Sequence, residues 1–263
     1  DAAGGAGART GDADSGAGSL HAAVASATDG DVIDLTGSGC TSAFTPVNLT
    51  SSIVTSVNNL TIRGGTPGGS NKYVISGQNT IRPITHNGTG TLVLEGVTVR
   101  SGKVTGTTSA NPARGGCVFS QGSVELVDQA QVKYCEATTS GNGAAQGGAI
   151  FAASTVTVDD GGRVANGKAF SNAGNALGGG IHAPSVELSG ALIEDNVAQV
   201  TGAGVAAVGG GIHADNLQAK YTVVRDNRVL IAAGASGVGA RGGGAEIGGN
   251  GNSSIKYSTF SGN

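Results

Sequence analysis

The chain has no methionine and no tryptophan, and its aromatic residues are five phenylalanines and four tyrosines in 263 positions. So few bulky side chains cannot fill the deep core of a globule of this length, whereas thin stacked layers need only small and β-branched residues. Charged residues make up 13% of the chain and the formal net charge is −3. No basic run and no aromatics interleaved with bases occur, which sets nucleic acid aside as a partner. No run approaches the 18 or so consecutive apolar residues of a membrane span. The chain opens at Asp1 without an initiator methionine, which reads as a mature exported chain or a segment of a longer one. Three cysteines with no CxxC spacing leave too few ligands for zinc, and no cofactor is expected.

Glycine is abundant instead, with 49 residues. It follows no three-residue period, which excludes collagen. Short Val, Ile and Leu runs continue along the whole chain and argue against disorder. The glycines fall into register: "GGCVF" from 115, "GGAIF" from 147, "GGGIH" from 178, "GGGIH" from 209 and "GGGAE" from 242, at spacings of 32, 31, 31 and 33. A second marker follows the first four doublets, as "VEL" at 124, "VTV" at 156, "VEL" at 186 and "LQA" at 217, and "LVL" at 92 and "LTI" at 60 extend it backwards. The period therefore covers roughly residues 53 to 263.

Within a period, short apolar–polar alternations are separated by Gly, Ser, Asn and Asp. In "SVELSGALIEDN", Val186, Leu188 and Ile193 are expected to point inward, and Glu187 and Glu194 outward. Strands of three to five residues joined by tight turns describe an all-β fold: a single right-handed parallel β-helix of about seven coils of 31–33 residues. At about 4.8 Å per coil the rod is about 34 Å long. The Gly doublet supplies a sharp corner, because Gly accepts positive φ. Asn196, Asn227 and Asn263 recur at another corner, where stacked amides would form a hydrogen-bonded ladder. Cys135 and Gly167 hold that corner in earlier coils, so the ladder is partial. Cys117 and Cys135, 18 residues apart within one repeat, form either a disulfide or a pair of buried thiols in a narrow core, and Cys40 is left without a partner.

Before the repeats, Leu20, Ala23, Val24 and Ala27 share one helical face, with Ser19 as N-cap and Gly30 as stop. Residues 1–30 are thus an N-terminal segment ending in a short helix that caps the first coil, and residues 31–263 are the β-helix. The last residues, "STFSGN", stop in mid-repeat without a cap.

Candidate chemistry lies in the outward columns. One column runs Phe119, Phe151, His182, His213 and Glu246. The two imidazoles beside Glu246 carry metal-ligand chemistry, but flanking phenylalanines point to plain stacking, and no metal is expected. A second column runs Thr61, Val93, Glu125, Thr157, Glu187 and Gln218, too mixed for an ice-binding threonine array. Glu194 stacks beside Arg225 as an exposed intercoil ion pair worth under about 1 kcal/mol. Asp195 stacks beside Asp226. No carboxylate cluster faces a Lys or Arg, so no catalytic residue is assigned. The long corners "AQVTGAGVAAV" and "RVLIAAGASGVGAR" carry Val200, Val205, Val208, Val229, Leu230 and Ile231, which either form a contact face or pack on one another along the rod.

The opening "DSGAGSLHAAVASATDGDVIDL" resembles the GSLR-AV-A-GD-I-L start of secreted bacterial proteins of the choice-of-anchor Q domain type, with His21 in place of the usual Arg. "YVISGQNTIRPITHNGTGTLVLEGVTVRSG" is similar to their following segment. "GGAIF", "GGGIH" and the closing "FSGN" resemble the GG-x-I and FxxN repeats of the polymorphic outer-membrane protein family of autotransporters. The resemblance covers nearly the whole chain and implies a right-handed β-helix exported to the surface, without implying an activity. The cysteine often seen before that opening is missing, in keeping with an unpaired Cys40.

The expected role is a non-catalytic surface scaffold or adhesin. Its expected partners are a glycan or host surface, or other copies bound through the apolar corners or the uncapped end. A polysaccharide-processing lyase or glycosidase is the alternative.

Overall fold

The computed structural model describes residues 19–36, 46–65, 73–202, 205–232, 239–249 and 252–263. Cys40 and most of the N-terminal segment lie outside the described residues. The chain is a parallel β-solenoid of about six turns. One column of inward residues runs Ile53, Ile84, Val118, Ile150, Ile181, Ile212 and Ala245, each in register with the next. These seven rungs are separated by six full turns. Alternation does the sorting, since Val124, Leu126, Val156, Val158, Val186 and Leu188 are buried while the residues between them face out.

The helix Leu20–Ser26 begins where expected. The Ser19 side chain accepts from Ala22 N at 3.1 Å. Leu20, Ala23 and Val24 are buried in the same core as Ile33, Leu35, Leu49 and Ile53, with Ala27 packed against it. Gly30 ends the segment at φ +85°. The helix closes the first coil. Among the described residues no helix is long and apolar enough to cross a membrane.

The structure departs from the sequence reading at the long corners, whose described residues include strands. Ala113–Arg114, Ala145–Gln146, Ala176–Leu177, Ala206–Val208 and Gly239–Arg241 form a third, five-stranded parallel sheet. It faces the C-terminal halves of strands such as Gln131–Thr139 and Arg163–Ser171 across a second, thinner core of Ala145, Ala169, Ala176, Ala198, Val200 and Ala207. Of the two readings, a contact face or packing along the rod, Val200 takes the second inside that core, and Val208 is buried on the opposite face of the third sheet, in register with Leu177. Val205 and Val229 pack against the same cluster at half-burial, and only Leu230 and Ile231 stay exposed.

Two cores in one coil give the Gly doublet a second duty. Gly147 turns the chain at φ +63°, and Gly148 then crosses the waist between the cores, where a Cβ would run into the backbones of Gly179 and Lys168. Gly179 crosses against Val197 in the same manner one coil on.

Candidate functional site

The residue after the doublet and the Asn corner face each other inside the main core, and their sizes compensate coil by coil. Cys117 opposes Cys135 in a disulfide. Ala149 opposes Gly167, then Gly180 opposes Asn196, Gly211 opposes Asn227 and Gly244 opposes Asn263. A Cβ on Gly180 or Gly211 would lie 2.9 Å from the facing Asn Cγ. The freed space holds the amide ladder. Asn196 N and Nδ2 donate to Asn227 Oδ1 at 3.1 and 2.9 Å. Asn227 N and Nδ2 donate to Asn263 Oδ1, both at 3.0 Å. Asn196 Oδ1 accepts from Gly167 N at 2.8 Å, so the ladder reaches one coil further than its asparagines. Each Nδ2 also donates to a backbone oxygen, of Val164, Ile193 or Val224.

The column Phe119, Phe151, His182, His213 and Glu246 is aligned in register. Its rings stack at centroid distances of 5.4, 5.4 and 4.9 Å. It points away from the main core but is not open surface. Arg82 and Arg114 lie over Phe119 and Phe151 at 5.2 and 5.0 Å, and Gln146 approaches His182 Nε2 at 3.4 Å. The third sheet, which supplies Arg114 and Gln146, roofs the column. Burial, then the neighbouring His213 and Arg114, pushes the His182 pKa down to about 3. Burial also lowers His213, against the pull of Glu246 at 3.2 Å and of Asp215. The His182 and His213 planes differ by 18°. Their Nδ1 atoms lie 3.0 Å apart, in contact with each other. Among the described residues no group of three or more potential ligands is placed to hold a metal.

Glu194 is a correction. The sequence placed it outward beside Arg225, yet it is buried, with Arg225 Nε and Nη2 on Oε2 at 2.7 and 2.6 Å and Arg163 Nη2 on Oε1. The cause is its cover: Glu194 keeps the outward register of Arg225 but lies beneath the guanidinium groups of Arg163 and Arg225. Arg163 lies in register with Leu192, two residues from Glu194, so reading straight columns missed it.

Glu187 is exposed, as expected, and opens on a groove of about 320 Å³. Two outward columns line it: Thr157, Glu187, Gln218 and Ser254, then Asp159, Ser189, Lys220 and Lys256. Burial, followed by Asp160, Glu125 and Glu187, raises the Asp159 pKa. A carboxyl so raised beside a second carboxylate side chain, Glu187, is a pairing that acid–base chemistry uses. Sequence reasoning overlooked Asp159 because "DDGG" reads as a solvated turn.

No family model matches the chain, and no curated protein or solved structure matches it.

Proposed function

We propose that this chain is a non-catalytic, exported β-solenoid that serves as a surface scaffold with an adhesive role. One observation carries the reading: the side chains best suited to chemistry hold coils to one another. His182 and His213 stack on each other, Glu194 ties together Arg163 and Arg225 from the coils on either side, and the asparagines bridge successive rungs. A disulfide between Cys117 and Cys135 favours an oxidising compartment. Leu230 and Ile231 are the apolar corner residues left for contact with a partner or a second copy.

The groove with Asp159 and Glu187 favours a second reading, a polysaccharide-cleaving enzyme. Retention of the fluorescently labelled chain on intact cells and on immobilised polysaccharides tests the first. Adhesion that survives Glu187→Gln supports it, and release of shortened glycan that stops with Glu187→Gln replaces it by the second.

A further inference from the structure

Arg100, Lys133 and Arg163 occupy three successive coils of the sheet that runs through the strands Val97–Arg100, Gln131–Thr139 and Arg163–Ser171. Arg100 and Lys133 are register partners, about 4.8 Å apart on the sheet spacing. Arg163 enters from the next coil, in register with Gln131, two residues before Lys133. Like charges so arranged repel, and the Lys133 pKa is lowered by burial and then by Arg163 and Arg100. No carboxylate pairs with Arg100 or Lys133 among the described residues, and Lys133 Nζ donates only to the Gln131 amide oxygen at 2.9 Å. Arg163 gives one end of its guanidinium to Glu194. The Nε atoms of Arg100 and Arg163 are both buried and both lack an acceptor. Buried guanidinium N–H groups are normally satisfied, and here the protein's own acceptors leave two of them unmet in the coils on either side of Lys133.

We propose that Arg100, Lys133 and Arg163 form an oxyanion site that takes a sulfate or carboxylate group of an acidic glycan. The planar guanidinium N–H groups suit an oxyanion geometrically and the ammonium adds charge. Tyr134, exposed at a left-handed corner beside Lys133, offers a ring on which the apolar face of a sugar can lie. The oxyanion assignment stands on the cations alone. The choice of a glycan as its bearer also rests on the adhesive reading above.

The test titrates the whole chain by calorimetry with a heparin-derived hexasaccharide, with hexagalacturonate and with sodium sulfate alone, for wild type, Arg100→Gln, Lys133→Gln and Tyr134→Asn. The expected result is glycan binding that weakens with salt and falls about tenfold in each cation variant. Arg100→Gln should leave the melting temperature unchanged or raise it, since it relieves repulsion. Tyr134→Asn, which keeps a residue tolerant of the left-handed corner, should weaken glycan but not sulfate. Sulfate bound as well as either glycan, and indifferent to Tyr134, overturns the glycan and keeps the oxyanion site. Affinities equal in wild type and both cation variants, or no binding by any probe, overturn the site itself. In that last case retention on cells still decides the adhesive reading separately.

Discussion

Asn227→Ala is the sharpest probe of how the coils are held. Asn227 is fully buried, and its Oδ1 is the acceptor for both Asn196 N and Asn196 Nδ2. Asn196 Nδ2 keeps Val164 O as a second partner, but its backbone N–H is left with none. On the other side Ile193 O and Arg225 O lose the Asn227 Nδ2 donor. An orphaned buried polar group costs about 1–3 kcal/mol, so the N–H together with one unrelieved carbonyl gives about 2–6 kcal/mol. Asn227→Asp should be at least as damaging. It restores an acceptor for Asn196 but sets a second oxygen against Ile193 O and Asn263 Oδ1. A solenoid loses structure coil by coil, so the assay is amide hydrogen exchange read at Asn196 alongside guanidinium unfolding. Faster exchange confined to the coils around 196–227, with a lowered midpoint, is expected. A change under about 0.5 kcal/mol with exchange unaltered would refute the ladder as a source of cohesion.

Three further outcomes follow from the same geometry. In the oxidised chain one of three thiols should react under denaturing conditions and all three after reduction, and Cys135→Ser should cost about 3 kcal/mol for the 18-residue span in urea unfolding. Because the His182 pKa is depressed to about 3, its contribution to stability is complete above about pH 6.5 and is lost as pH falls from there toward 3. The slope approaches about 1.4 kcal/mol per pH unit, and the lowered His213 acts in the same direction. His182→Phe, which continues the Phe151 stack, should flatten that dependence in melts from pH 7 to 4.5, and an unchanged profile would contradict it. Glu194→Gln, which leaves two arginines facing a neutral amide in a buried site, should cost about 3 kcal/mol by chemical unfolding, where an exposed pair would cost under about 1.

What the sequence showed and what it hid separate along a physical line. The period, the inward columns, the Ser19-capped helix and the asparagine corner were legible because each repeats one residue type at a fixed place or follows a local capping rule. The third sheet was not. Its strands are two or three residues of Ala, Gln, Leu, Val, Gly or Arg, too short for alternation to show, and their pairing is entirely between coils. The burial of Val200 and Val208 and the roofing of His182 depend on that sheet and were hidden with it. The burial of Glu194 was hidden because two arginines cover an outward side chain, and Arg163 was missed because it reaches that carboxylate diagonally. The pairing of Gly180 with Asn196 and of Ala149 with Gly167 was present in the sequence as compensating sizes. The reading of one corner at a time passed over it.

The central claim is that this solenoid binds without turning over. A hexagalacturonate or a heparin-derived hexasaccharide held with the chain for a day and then recovered for mass spectrometry tests it most directly. The account predicts the hexamer back at its original mass. Shorter fragments, whether carrying an added water or an unsaturated end, and absent with Glu187→Gln, would contradict it and make the Asp159–Glu187 groove an active site.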